Sequence, residues 1–229
     1  MTHRLVCFPF AGAGASVYRR AWRSDSTFEV SPVRLPHRED RLSEPPYTDL
    51  ASATEDLVRQ VRDMEPLDGY VFFGHSMGAF LAAETAIALQ RLGMPSPVLV
   101  VVSGSLPPMH RTTDSPLGVE DDVFIRAIER DTGYRSPALQ MPELRPILVP
   151  TLRADVDFLS RVEPTVPTAI VAPLLVLRGT ADEGVPKDEW SSWSRCTVAG
   201  ATFTEFEGGH MFLLDQWDDV RRAIAGKLS

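Results

Sequence analysis

Short apolar runs alternate with amphipathic stretches along this chain, a pattern typical of parallel strands joined by helices. Most runs are almost continuously apolar, as expected for strands buried on both faces of a sheet. Two runs, at 28–35 and 202–206, alternate apolar with polar residues, which predicts positions near the sheet edges. The predicted strands are Arg4 to Phe8, Phe28 to Leu35, Tyr70 to Phe73, Val98 to Ser103, Leu174 to Arg178 and Thr202 to Phe206.

Four amphipathic stretches predict helices. In the first of them, Leu50, Ala53, Leu57, Val61 and Met64 recur at helical spacing and form one apolar stripe. These elements predict an α/β fold with a mostly parallel central sheet flanked by helices, in a single domain over residues 1–229. The predicted helices are Leu50 to Met64, Ser76 to Leu92, Pro186 to Trp193 and Leu213 to Leu228.

One segment, residues 107–167, interrupts the alternation. It shows no strand pattern, only three proline-punctuated helical pieces around 123–128, 144–148 and 156–162. Adjacent strands of a compact domain seldom need about sixty residues to join them, so the segment is an insertion with its own purpose. We interpret it as a helical lid, since lids exclude water and shape a substrate pocket. The alternative is a second helical layer with no part in catalysis.

A nucleophile elbow is indicated at Gly74-His75-Ser76-Met77-Gly78, which follows an apolar strand and precedes a helix. The sharp turn strains the backbone of the nucleophile, and side chains at the flanking positions would clash. A G-x-S-x-G match alone is weak, because a glycine-rich turn can simply link a strand to a helix. In this context Ser76 is the candidate nucleophile of an α/β-hydrolase fold.

A serine hydroxyl needs a neighbouring base, and the chain offers five histidines. His210 is the best candidate, because it lies in a glycine loop between the last predicted strand and the last helix. Asp182 fits the third role, which holds the imidazole in one tautomer, since it follows a strand and the chain order is Ser, acid, His. Glu183 competes with Asp182, and Asp155 and Asp157 are weaker competitors.

The oxyanion of a tetrahedral intermediate needs two backbone donors. The N–H of Met77, directly after the nucleophile, is the first. The second is the N–H of Ala11, in the small-residue loop 9–15 that follows the first strand. Such a loop could instead cradle a dinucleotide, but Gly12 and Gly14 lack the third glycine of that fingerprint.

Composition and charge exclude several classes of protein. The net charge of −8 argues against a nucleic-acid partner, and no apolar run approaches the roughly 20 residues of a membrane span. Cys7 and Cys196 form neither a disulfide framework nor a metal-ligand cluster, so we expect reduced thiols, no metal and no cofactor. No secretion signal is evident, which predicts a cytoplasmic protein, and we expect a monomer.

The charge is uneven along the chain. Residues 1–41 hold seven arginines against four acidic residues. An acidic partner could bind this basic region, although arginines scattered over a solvated surface would give the same count.

Nearly the whole chain resembles the stand-alone type II thioesterases that accompany polyketide synthases and nonribosomal peptide synthetases. The Leu35–Arg41 loop (LPHREDR) and the LRAD segment inside the insertion are more specific for this family than the elbow, which many hydrolases share. The matching segments are 7–14, 35–41, 74–78, 152–155, 179–182 and 208–212.

This resemblance implies a thioesterase that removes stalled or aberrant acyl groups from the phosphopantetheine arms of acyl or peptidyl carrier proteins. It also implies that the insertion is a flexible lid beside the acyl chamber. Two segments depart from the family pattern. His37 stands where the family usually has glycine, and Asp131 to Tyr134 only loosely match a glycine-threonine-proline turn.

Two other functions are compatible with the same residues. One is a carboxylesterase or lipase that acts on small oxygen esters with the same triad. The other is a catalytically silent binding module that uses the pocket only to hold a ligand. Transfer of the acyl group to an alcohol or amine would need no different triad either.

Overall fold

All six predicted strands form, and they lie parallel in one sheet of order β2-β1-β3-β4-β5-β6. The computed structural model describes residues 3–23, 26–64, 69–110, 116–163 and 168–228. Strands β2 and β6 are at the edges, as their alternating patterns predict. Parallel pairing brings the carboxyl ends of all six strands to one edge of the sheet. The strands are β1 (His3–Phe8), β2 (Phe28–Pro32), β3 (Val71–His75), β4 (Leu99–Ser103), β5 (Leu174–Gly179) and β6 (Ala201–Phe206).

Seven α-helices surround the sheet in the described parts of the chain. All four predicted helices are shorter than expected, most of all the last two: α6 passes into a 3₁₀ segment at Ser191–Cys196, and a 3₁₀ turn at Phe212–Leu214 precedes α7. No helix in these parts is long and apolar enough to cross a lipid bilayer. The helices are α1 (Ala15–Ala21), α2 (Leu50–Arg62), α3 (Met77–Arg91), α4 (Asp121–Thr132), α5 (Arg145–Arg161), α6 (Lys187–Trp190) and α7 (Trp217–Ala225).

Helix α1 is absent from the elements predicted from sequence, because its stabilising cap comes from a distant loop. The Glu39 carboxylate accepts hydrogen bonds from the backbone N–H groups of Ala15 (2.9 Å) and Ser16 (3.0 Å). These are first-turn donors that have no partner within the helix itself. Seven residues are too few to form a stable helix alone, so α1 depends on this contact and on burial of Tyr18.

The sheet separates two apolar cores. Alternate β1 residues point to opposite faces, so that Val6 and Phe8 join one core and Leu5 and Cys7 join the other. Helices α2 and α3 cover the first core, and α1 and α7 cover the second. Cys7 and Cys196 are free, buried thiols, and burial raises the pKa of Cys196 to about 12.

The predicted insertion is helical in its described residues, 107–110 and 116–163. It has a small core of its own, while Phe158 and Val162 at its end join the core under α2 and α3. The predicted break between the second and third helical pieces is wrong, because α5 runs through Pro150. An internal proline costs a helix about 3 kcal/mol. Burial of apolar α5 side chains on both sides of Pro150 offsets this cost. The insertion's own core comprises Phe124, Ile125, Leu139, Val149 and Leu152.

His37 occupies a backbone conformation that suits glycine, with φ of 63°. Its backbone is fixed on two sides, since its N–H donates to Arg41 O (3.0 Å) and its carbonyl accepts from Thr151 Oγ1 (3.0 Å). A glycine would adopt this conformation without a steric penalty, whereas His37 adopts it at the cost of strain.

We expect His37→Gly to be more stable than His37→Ala by about 0.5–1 kcal/mol, because both lose the imidazole and only alanine keeps a Cβ at positive φ. Urea unfolding of the two variants measures the difference. Ala51→Gly, at an exposed position of α2, is the control and should lose about 1 kcal/mol. Equal stability of the two His37 variants would contradict the strain argument.

Candidate active site

Ser76 lies at the tight turn between β3 and α3, with φ of 53°. Its N–H donates to the carbonyl of Ser103 at the end of β4 (2.8 Å), which fixes the turn to the sheet. A side chain at Gly74 would overlap the backbone of residue 78, and one at Gly78 would overlap the carbonyl of Phe8. Only glycine permits these approaches, so the elbow sequence holds Ser76 in its strained conformation.

His210 and Asp182 are brought together by the loops that follow β6 and β5. His210 Nδ1 is 2.9 Å from Asp182 Oδ2, and the second carboxylate oxygen accepts from the N–H of Gly184 (3.1 Å). The Asp182 side chain is 1% exposed and that of His210 12%. The Nδ1–H tautomer satisfies the buried carboxylate and leaves Nε2 as the acceptor nitrogen.

The two loops are packed tightly at Gly179. The N–H of Ala181 donates to Gly208 O (2.8 Å), and a side chain at Gly179 would overlap the carbonyls of Gly208 and Gly209. Glu183, the competitor named from sequence, is exposed. Of the two adjacent acids, the loop geometry therefore directs Asp182 to the imidazole.

Ser76 and His210 line one cavity of about 770 Å³. In the described parts of the chain no hydrogen bond joins the Ser76 hydroxyl to the imidazole, whose Nδ1 is held by Asp182. Hydrogen bonds of this kind are often long before substrate binds and tighten only in the reacting complex. One cavity thus presents a serine and a histidine that a carboxylate already orients.

The amides of Met77 and Ala11 have no acceptor among the described residues. Met77 begins α3, where backbone N–H groups and the helix dipole favour negative charge. Ala11 belongs to the loop after β1 and lines the same cavity as Ser76. Two unpaired donors on the elbow and on this loop are available to a developing oxyanion.

The rest of the cavity wall is mainly apolar, and much of it comes from the insertion. Helices α4 and α5 and the segment between them contribute most of these side chains, while α1 contributes Val17, Arg20 and Ala21. An apolar cavity of this kind, with Ser76 in its wall, suits a long apolar ligand. The main apolar residues from the insertion are Ile128, Leu139, Leu148, Leu152, Val156 and Leu159.

His75, inside the elbow, has a role that sequence reasoning missed. It is fully buried, its Nδ1 is 2.9 Å from Ser103 Oγ, and its ring lies 5.0 Å from that of His210. A side chain at Gly104 would overlap this ring, so the residues after β4 leave room for it. Burial, with a smaller contribution from the charge of His210, lowers the pKa of His75 well below its usual value. The neutral ring of His75 therefore packs against the ring of His210.

Asp155 and Asp157, the weaker candidates for the acid, are paired elsewhere. Asp155 binds Arg38 and Asp157 binds Arg161. No sequence pattern indicates the Arg38–Asp155 pair, although the two residues lie in the LPHREDR and LRAD segments singled out above.

A parallel sheet with a nucleophile elbow after β3 and a His–Asp pair after β5 and β6 defines a protein of the α/β-hydrolase class. A family model described as "Thioesterase domain" matches residues 3–228. The chain therefore belongs to the thioesterase-domain family.

Individual relatives agree with this assignment. Thioesterase PikA5 of Streptomyces venezuelae is 30% identical over 98% of this chain and 80% of its own length. Gramicidin S biosynthesis protein GrsT of Aneurinibacillus migulanus is 29% identical over 93% of this chain and 83% of its own. The solved structure of the type II thioesterase BorB from the borrelidin biosynthetic cluster has a TM-score of 0.90 at 27% identity, covering 100% of this chain and 94% of that one. The resemblance to type II thioesterases is thus confirmed.

The lowered pKa of His75 predicts that stability falls on acidification. Above a pH of about 6.5, the histidine is neutral in both the folded and the unfolded chain. Below it the unfolded chain binds a proton that buried His75 does not, so the free energy of unfolding decreases, by at most about 1.4 kcal/mol per pH unit for this one group.

Urea unfolding between pH 7.5 and 5 measures this slope. His75→Asn, which cannot titrate, is the control and should show a shallower loss of stability over the same range. Identical slopes in the two proteins would contradict the prediction.

Proposed function

We propose that this protein hydrolyses acyl thioesters on the phosphopantetheine arms of acyl or peptidyl carrier proteins, with Ser76, His210 and Asp182 as a catalytic triad. The observation that carries the proposal is one apolar cavity lined by Ser76, a carboxylate-oriented His210 and the loop of Ala11. The relatives support the substrate class, since they are named as thioesterases or as a protein of gramicidin S biosynthesis.

Acylation begins when His210 Nε2 removes the proton of Ser76 as Oγ attacks the thioester carbonyl. The amides of Met77 and Ala11 stabilise the oxyanion. Asp182 stabilises the imidazolium through Nδ1–H, which is why its carboxylate is held by Gly184 and shielded from water. The tetrahedral intermediate collapses with cleavage of the C–S bond, and His210 delivers its proton to the departing sulfur.

Deacylation repeats these steps with water as the nucleophile, and releases a free acid and regenerated Ser76. A thiolate leaves readily, so the protein contributes mainly positioning and oxyanion stabilisation. We also propose that the α4–α5 insertion acts as a lid, because it forms most of the apolar wall around the acyl chain.

The phosphate of the substrate arm is anionic, and exposed arginines close to the cavity are suited to bind it. Four of the seven N-terminal arginines are neutralised in ion pairs, namely Arg4, Arg34, Arg38 and Arg41. Arg19, Arg20 and Arg23 are exposed, and none has an ion-pair partner in the described chain. Since Arg20 also lines the cavity, we assign it to the phosphate of the phosphopantetheine arm.

The location and the assembly state complete the proposal. A cytoplasmic site of action agrees with the two free thiols, which are stable in a reducing compartment. The monomeric state stays a prediction.

Ser76→Ala should abolish release of acyl groups from a loaded carrier protein while the fold stays intact, because no other nucleophile lies at the elbow. Release is measured by mass spectrometry of the carrier, and the fold by circular dichroism. A panel of acyl groups on the carrier would also define the preferred chain. Undiminished hydrolysis by the variant would exclude Ser76 as nucleophile.

Three measurements separate the alternative functions. A fluorophosphonate probe should label Ser76 of the wild type, whereas a silent binding module would stay unlabelled. A carrier-bound thioester should be hydrolysed faster than a matched oxygen ester, and the reverse order would indicate a carboxylesterase. Detection of the free acid, rather than an ester or amide of an added acceptor, separates hydrolysis from acyl transfer.

Arg20→Ala should raise KM for acyl-phosphopantetheine by about 3- to 10-fold, because a charge-assisted contact to phosphate is lost. KM for acyl-pantetheine, which has no phosphate, should not change. Arg195→Ala removes an exposed arginine of the 3₁₀ segment after α6 and is the matched control. An equal effect on both substrates would contradict the phosphate assignment.

A further inference from the structure

We propose that Arg38 and Asp155 are positioning residues, which hold the Ala11 amide in its oxyanion-binding conformation and make that conformation depend on the docking of α5. The inference rests on the proposed function. It adds that the insertion, besides covering the substrate, completes the oxyanion hole.

The first observation is a buried, two-pronged ion pair. Arg38 Nη2 lies 2.5 Å from Asp155 Oδ1, and Nη1 lies 2.8 Å from Oδ2. The two residues are only 7% and 6% exposed. Burial of two charges costs more than their attraction returns unless further hydrogen bonds satisfy the groups. The partners of those further bonds show what the pair holds.

Those partners are backbone atoms of the loop after β1. Asp155 Oδ2 accepts the N–H of Gly12 at 2.7 Å, and Arg38 Nη1 donates to Ala13 O at 2.9 Å. The remaining guanidinium contact, from Nε to Pro36 O at 3.1 Å, fixes Arg38 to its own loop. The ion pair is therefore hydrogen-bonded to the backbone directly after Ala11. These bonds restrain the direction of the Ala11 N–H.

Glu39 restrains the far end of the same loop. Its carboxylate binds the N–H groups of Ala15 and Ser16 and occupies the space that a side chain at Gly14 would need. Consecutive residues of the LPHREDR segment therefore fasten the loop at two points. Glu39 has a strained φ of 48°, which is consistent with a backbone conformation that directs the Arg38 and Glu39 side chains towards the loop.

The restraint on the loop depends on the position of α5, because Asp155 belongs to this helix of the insertion. On the same helix, Leu152 packs against Gly12, and Thr151 Oγ1 donates to His37 O (3.0 Å). Displacement of α5 would break these contacts together and free the loop. An acyl chain in the cavity contacts both α5 and the loop, so it favours the assembled oxyanion hole.

Asp155→Leu should lower kcat for a carrier-bound thioester at least about tenfold, with KM within about threefold, since the loss falls on the transition state. Asp121→Leu is the matched control, because it removes an ion pair of the same insertion, with Arg153, that does not contact the loop. Its kcat should stay within about twofold of the wild type.

A double variant separates positioning from folding. Arg38→Met with Asp155→Leu removes both buried charges, so its thermal stability should recover towards the wild type while kcat stays low. Recovery of kcat together with stability would overturn the proposal. Asp155→Asn, which keeps the shape of the side chain, gives a milder test, with kcat reduced at least about threefold. Wild-type kcat in this variant would also overturn the proposal.

The rate at which a fluorophosphonate modifies Ser76 gives a readout independent of the natural substrate, because the reaction also develops an oxyanion. It should fall at least about tenfold in Asp155→Leu and stay unchanged in Asp121→Leu. If the probe modifies Ser76 equally fast in the wild type and in Asp155→Leu, the positioning role is refuted but the proposed function is not. A wild-type protein that does not react at Ser76 refutes the proposed function as well.

Discussion

The close approach of the end of β1 to the start of α3 is the constraint on which the rest of the site depends. Gly78 meets the backbone of Phe8 so closely that no side chain fits between them, and Gly74 meets residue 78 in the same way. The loop that holds Ala11 therefore lies beside the turn that holds Ser76. Ser76 takes a positive φ at this turn, so one tightly packed region holds both the candidate nucleophile and the candidate oxyanion donors.

The parallel sheet supplies the other half of the chemistry. Ser76 follows β3, Asp182 follows β5 and His210 follows β6, and all three strands end at the same edge. The imidazole is oriented by a buried carboxylate on one side and supported by the neutral ring of His75 on the other. The strand ends thus fix the candidate acid–base groups, while the insertion forms much of the apolar cavity wall.

The insertion has an apolar core of its own, but its last helix is also anchored in the core of the main domain. Its own small core lets α4 and α5 pack as a unit, while Phe158 and Val162 fasten its end under α2 and α3. Residues that line the cavity can then vary without disturbing the sheet. The Arg38–Asp155 pair links this wall to the loop that holds the candidate oxyanion donor Ala11.

The sequence by itself determined the strands, their edge or central positions, the elbow and the candidate triad, because apolar periodicity and glycine turns are local signals. Only the tertiary structure decided features that depend on contacts between distant segments. Helix α1 needs a cap from Glu39, and α5 continues through Pro150 because burial offsets the lost hydrogen bond. The pairing of Asp155 with Arg38 and the packing of His75 against His210 could not be predicted from the sequence either. Side chains that are far apart in the chain leave no periodic pattern when they meet.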